Sequence, residues 1–200
     1  MESLSTREKI IDASVMLFSD KGYDKVSMRD IAAVIGIKAA SIYHHFPSKR
    51  DILKALYSLY TREYRRESPS LESLLQRIET EPVRDILMNL DHFWPLAGRD
   101  QMERIILIAS QRISLDRDSE NFIQDHFFEP IKAIWIPLLN RAAETGKIEK
   151  VDAGIFAIVT SFFAFAAVGV NRTAMKLNPE QWRGGLSMIL SILKAVPEPG

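Results

Sequence analysis

Ser27-Met28-Arg29-Asp30-Ile31-Ala32-Ala33-Val34-Ile35-Gly36-Ile37-Lys38-Ala39-Ala40-Ser41-Ile42-Tyr43-His44-His45-Phe46-Pro47-Ser48-Lys49 is the stretch that decides the fold of this 200-residue chain. Ser27 and Asp30 make an S-x-x-D pair, which predicts a helix starting just after Ser27. Ile31, Val34 and Ile35 then supply an apolar face at helical spacing. Gly36 stops this helix, because a left-handed backbone is cheap for glycine. Ile37 is expected to plug the turn into the core. Lys38 to Ser41 open a second helix with small side chains that allow close approach to another surface. Ile42 and Phe46, four apart, face inward, which leaves Lys38, Tyr43 and His44 outward. Pro47-Ser48-Lys49-Arg50-Asp51 starts a further helix on a second S-x-x-D pair. Two short helices around a glycine turn are the layout of a helix-turn-helix, whose second helix enters the DNA major groove.

The flanks support this reading. Ser5 and Glu8 box the start of an earlier helix bearing Ile10, Ile11, Leu17 and Phe18. Gly22 stops it, and Tyr23 and Val26 follow as apolar anchors. The combined pattern resembles the DNA-binding domain of the TetR family of bacterial transcriptional regulators. Phe18-Ser19-Asp20-Lys21-Gly22-Tyr23, Ser27 to Ala32, Gly36-Ile37, Ser41 to Phe46 and Ser48-Lys49 carry the likeness, which ends near Arg66.

The resemblance implies an all-α protein. Residues 1–47 would form the helix-turn-helix domain. Residues 48–200 would form a helical effector-binding and dimerisation domain, with 48–66 as connector. Ser27, Tyr43, His45 and Lys49 would hold phosphates. Arg29, Lys38, Ala39, Ala40, Ser41 and His44 would lie nearest base edges. The two alanines offer only shape or a contact to a thymine methyl, so specificity leans on Arg29, Lys38 and DNA shape.

Composition agrees. The net charge is zero, but residues 1–66 hold twelve Lys and Arg against eight Asp and Glu, a surplus of four. A basic module on an acidic body suits a DNA-binding protein. There is no cysteine, hence no disulfide, thiolate metal site or cysteine nucleophile. Met1 to Phe18 is charged and amphipathic, unlike a signal peptide, and a cytoplasmic location is expected. No phosphate-binding glycine loop, dinucleotide fingerprint or nucleophile elbow is present, so no enzyme and no cofactor is expected. His44 and His45 point about 100° apart on a helix and make no metal pair.

The rest is expected to be helical: Leu71 to Thr80, a helix opened by Pro82, a break over Trp94 to Gly98, and Gln101 to Leu115 with Ile105, Ile106, Ile108 and Ile113 inward. Asp116 to Ser119 is expected to be a solvated loop. A long helix then runs toward Glu144, kinked where Pro137 removes a bond to the Ala133 carbonyl. Thr145-Gly146 stops it, and helices from Asp152 to about Arg172 and from Pro179 to about Ala195 close the chain. Ala153 to Val170 carries no charge, but its small and polar residues and flanking Asp152 and Arg172 favour a buried helix over a membrane span.

By resemblance, Ala157, Ser161, Ala164, Val168, Leu186, Ile189, Leu190 and Leu193 would pair two subunits in a four-helix bundle. A pocket for a small apolar or aromatic effector would be lined by His92, Phe93, Trp94, Ile106, Ser110, Phe127, Trp135, Thr160 and Phe163. Function is therefore expected to be that of a ligand-responsive repressor, homodimeric on a palindromic double-stranded operator. The alternative is an architectural or division-type DNA-binding factor without an effector.

Overall fold

The computed structural model describes residues 4–88, 99–149, 152–154, 184, 187–188 and 191. Most of the two closing helices, all eight of the expected dimer residues, and His92, Phe93, Trp94, Thr160 and Phe163 lie outside them.

The described elements are helical. They are α1 (Thr6–Lys21), a 3₁₀ turn (Tyr23–Lys25), α2 (Met28–Ile35), α3 (Ala39–His45) and α4 (Lys49–Glu67). Then come α5 (Leu71–Thr80), α6 (Val83–Met88), α7 (Asp100–Arg112), α8 (Arg117–Ile123) and α9 (Ile136–Glu144). Among the described residues no helix is long and apolar enough to cross a membrane. The chain divides into two compact units, 1–66 with 96–122, and 67–95 with 123–200. The first therefore gathers α4, α7 and α8 with the N-terminal helices, a broader grouping than residues 1–47.

In the first unit α1 packs on α2 and α7, and α2 packs on α3. Ile10, Phe18, Ile31, Ile42, Phe46, Ile52, Leu53 and Leu56 are buried. Each such side chain contributes roughly 1.5–3 kcal/mol by leaving water. The inward stripe of α2 is Met28, Ile31 and Ala32, with Ile35 half-buried. Val34 was expected beside them but is 61% exposed. It sits at the edge of that stripe, about a third of a turn from its centre. Ile113, also expected inward, is exposed because α7 ends at Arg112 and Ile113 lies in the turn that follows.

The second unit closes around Leu74, Ile78, Val83, Ile86, Trp135, Leu138, Leu139 and Ala142. Arg141 pairs with Glu79 at 2.7 Å, and Lys147 donates to the Ile78 carbonyl. Gly146 takes a left-handed φ of 72° after α9, as the Thr145-Gly146 stop predicts.

Helical backbone is unbroken from Arg117 to Glu144, but two π turns interrupt its α register, Gln124–Phe128 and Ile131–Trp135. Each ends two residues before a proline, Pro130 and Pro137. A proline has no N–H to donate and its ring crowds the carbonyl four residues back. A turn widened to i→i+5 pairing relieves both.

Asp116 to Ser119 is not a loop. The Asp116 carboxylate accepts from the Ser119 N–H and hydroxyl, both at 2.9 Å, and so caps α8, which begins at Arg117.

Candidate nucleic-acid interface

The exposed face of the first unit is built by three capping devices and one turn. Ser5 and Glu8 form a reciprocal box at α1, and Ser27 and Asp30 form another at α2. At α2 the Ser27 hydroxyl accepts from the Asp30 N–H at 3.2 Å, while the Asp30 carboxylate accepts from the Ser27 N–H at 2.7 Å. The Ser27 hydroxyl, then its N–H, hold the Asp30 carboxyl below the usual range. At α4 the Ser48 hydroxyl accepts from the Asp51 N–H at 3.2 Å and donates to the Asp51 carboxylate at 2.7 Å.

Gly36 between α2 and α3 is left-handed, φ 70° and ψ 33°, and its N–H reaches the carbonyls of Ala32 and Ala33. A Cβ there would meet open space, so the backbone angle alone selects glycine. Ile42 is fully buried and Phe46 nearly so. These two anchors fix the rotation of α3. Lys38, Ala40, Tyr43, His44 and His45 consequently face solvent, and Ala39 and Ser41 are half-buried. Tyr43, a large apolar ring, is 53% exposed. Ser27 and Arg29 are exposed at the start of α2. Ile37 is half-buried in the turn.

Lys49 departs from the expectation of a free phosphate clamp. Its ammonium donates to the carbonyls of Tyr23 and Val26, each at 2.8 Å. It also lies 4.2 Å from the centre of the Tyr23 ring. Burial lowers its pKa, an effect partly offset by the Asp24 charge.

Contacts invisible to local pattern reading support this face from behind. Arg112 on α7 stacks 4.0 Å from the Tyr23 ring, and meets Asp24 at 3.1 Å and Asp116 at 2.8 Å. Burial would raise the Asp116 pKa, but the Ser119 N–H and hydroxyl and the Arg112 charge bring it below the usual range. Asp118 meets Arg50 of α4 at 2.7 Å. The Tyr57 hydroxyl shares a 2.7 Å bond with Ser119, and its ring stacks on Phe122. Burial pushes the Tyr57 phenol well above its ordinary pKa. Arg104 ties α7 to Asp20 and Ser19 at the end of α1.

Of the candidate pocket residues, Ile106, Phe127 and Trp135 are buried. Trp135 belongs to the core of the second unit. The Ser110 hydroxyl donates to the Leu107 carbonyl of its own helix.

Two short helices about a left-handed glycine, the second rotated to show small and polar side chains, define a helix-turn-helix protein. Residues 10–56 match the family model described as bacterial regulatory proteins, tetR family. It is 52% identical over 46 residues to the "Biofilm operon icaADBC HTH-type negative transcriptional regulator IcaR" of Staphylococcus aureus (strain Newman), covering 23% of this chain and 25% of that protein. It is 33% identical over 87 residues to the "Probable HTH-type transcriptional regulator YttP" of Bacillus subtilis (strain 168), covering 44% of this chain and 41% of the relative. The matches thus span well under half of either relative's length. Among solved structures, AibR "in complex with isovaleryl coenzyme A and operator DNA" superposes with a TM-score of 0.66 at 21% identity, covering 96% of this chain and all of that one. At that identity the likeness is one of fold.

Proposed function

We propose that this chain is a DNA-binding transcriptional repressor that acts as a homodimer on a palindromic operator and is released by a small apolar or aromatic effector. The observation that carries the reading is the outward set on α2 and α3. Arg29, Lys38, Tyr43 and His44 are exposed, and among the described residues no ion pair or side-chain hydrogen bond engages them. A surface held rigid from within, yet with its polar groups unspent, suits a ligand that brings its own acceptors. Phosphates and base edges are such acceptors.

In this proposal α3 enters the major groove. Arg29 and Lys38 are the groups able to read guanine, and Ala39, Ala40 and Ser41 allow close approach. Tyr43, His45 and Ser27 hold the phosphate backbone. Lys49 is assigned instead to the scaffold that aims α2. Two copies related by a two-fold axis would read half-sites about one helical turn (roughly 34–36 Å), or a multiple, apart. The negative regulation named for the Staphylococcus relative supports repression, and the ligand named for AibR supports an effector. Residues 48–66 would connect effector domain and DNA-binding domain. A release of 5- to 150-fold needs about 1–3 kcal/mol of preferential effector binding to the DNA-incompetent state. The location that follows is the cytoplasm, where the DNA is.

The test is Arg29→Ala and Tyr43→Ala, each measured for DNA retention, dimerisation and melting temperature. Both positions are exposed, so stability is expected to stay within about 0.5 kcal/mol. Retention is expected to fall with the dimer intact. Unchanged retention in both variants would overturn the assignment of this face.

A further inference from the structure

The 3₁₀ turn Tyr23–Lys25 leads directly into α2, and it is gripped by two cations from distant points of the chain. From α4, Lys49 donates to the carbonyls of Tyr23 and Val26, the second of which immediately precedes the cap of α2 at Ser27. From the last turn of α7, Arg112 lies against the Tyr23 ring at 4.0 Å and holds both Asp24 carboxylate oxygens at 3.1 Å. The Arg112 side chain is only 12% exposed. Its Nε is committed to Asp116, and Asp116 in turn caps α8. Tyr23 is braced on a further side by Phe18, whose ring centre is 5.0 Å away and which is fully buried. A short turn with an apolar anchor and charge-assisted bonds at both ends has little freedom to pivot.

These contacts form an unbroken chain: α8 cap, Asp116, Arg112, Tyr23 and Asp24, Val26, α2. We infer that Arg112 is a positioning residue for DNA binding, which sets the orientation of α2 through the Tyr23–Lys25 turn. The α7–α8 corner is thereby coupled to the DNA-facing helices by a route that does not run along the length of α4. Arg112 itself touches no outward-facing group of the interface. It acts by holding the turn in one arrangement, so that the DNA does not have to select it. A guanidinium suits the role, because its plane stacks on the ring while its fork serves two carboxylates.

The inference rests on the DNA-binding reading, and the experiment separates the two. Arg112→Met is compared with Arg104→Met on the duplex that the wild-type protein enriches from a random pool, with affinity measured across a salt series. Arg104 is a matched control. It lies on the same helix, is 14% exposed and bridges to α1 at Asp20 and Ser19, but it does not touch the turn. Both substitutions remove one positive charge and one inter-helix ion pair. Arg112→Met is expected to weaken binding at least fivefold with the salt slope unchanged, since no phosphate contact is lost. Arg104→Met is expected to lower the melting temperature while leaving affinity within twofold. Arg112→Lys, which keeps the charge but not the planar fork, guards against misfolding and is expected to weaken binding about twofold or more at the same slope. Equal effects of the two methionine variants, or unchanged or tighter binding in both Arg112 variants, would overturn the inference. A wild-type protein that retains no duplex would remove the DNA-binding reading and this inference with it.

Discussion

Replacing Lys49 by methionine removes an ammonium while keeping an apolar stem of similar reach. The structure gives the ammonium two carbonyl partners at 2.8 Å and an aromatic face at 4.2 Å. A hydrogen bond from a charged donor is worth roughly 1.5–3 kcal/mol net, nearer the lower end at a half-exposed site. The ring contact adds about 0.5–1 kcal/mol. Burial opposes the charge, as its lowered pKa indicates, so the variant recovers some desolvation cost. The balance is a loss of about 2–3 kcal/mol, or roughly 4–12 °C in melting temperature for a chain of this size. Urea and thermal unfolding of wild type and Lys49→Met measure it. A DNA salt series on the same proteins supplies the second axis. A side chain committed to the Tyr23 and Val26 carbonyls leaves the salt slope unchanged when it is removed. A phosphate-bound ammonium would instead lower the slope by about 0.9 and leave stability nearly untouched. That second result would refute the assignment of Lys49 to the scaffold.

Three further outcomes follow from the same geometry. Ile42→Ala empties a fully buried site on α3 and should cost about 2–5 kcal/mol, read as a lowered urea midpoint with the slope of the transition preserved. Gly36→Ala places a Cβ on a backbone with φ 70° and should cost about 1–2 kcal/mol in the same assay; no loss would mean that the turn relaxes freely. The folded-state pKa of Asp116 lies below its ordinary value of 3.8. Its contribution is therefore fully present above that value and is lost as pH falls through the lowered one. Asp116→Asn, which can still cap α8, should flatten the acid limb of a stability–pH curve; an unchanged limb would contradict the Arg112–Asp116 pairing.

Short-range chemistry was legible in the sequence because it is written in short spacings. The boxes Ser5–Glu8, Ser27–Asp30 and Ser48–Asp51 are three-residue patterns, and all three form. Gly22, Gly36 and Gly146 mark positive φ where the helix stops were expected. The α5 helix spans Leu71–Thr80, the range expected for it. Val34 shows the limit of counting periods in an eight-residue helix, where one residue at the edge of the stripe can face either way. Lys49 looked like a surface cation because nothing local reveals that the Tyr23 and Val26 carbonyls lie within its reach. The same holds for Arg112 with Asp24, 88 residues apart, and for Arg50 with Asp118, 68 apart. Such pairs have no signature in one sequence. Asp116 did carry a signal, an Asp three residues before a serine hydroxyl and N–H, but the cluster of charges around it resembled a loop. Pro137 foretold a disturbance of the long helix, and a π turn ends two residues before it.

The central claim is that the face formed by α2 and α3 reads a specific DNA sequence. Selection of bound duplexes from a random pool by the purified protein, at near-physiological salt, tests it most directly. Enrichment of a palindrome with half-sites about one helical turn (roughly 34–36 Å) or a multiple apart is the predicted result. A folded protein that enriches no sequence, and whose retention of DNA does not change in Arg29→Ala or Tyr43→Ala, would contradict it.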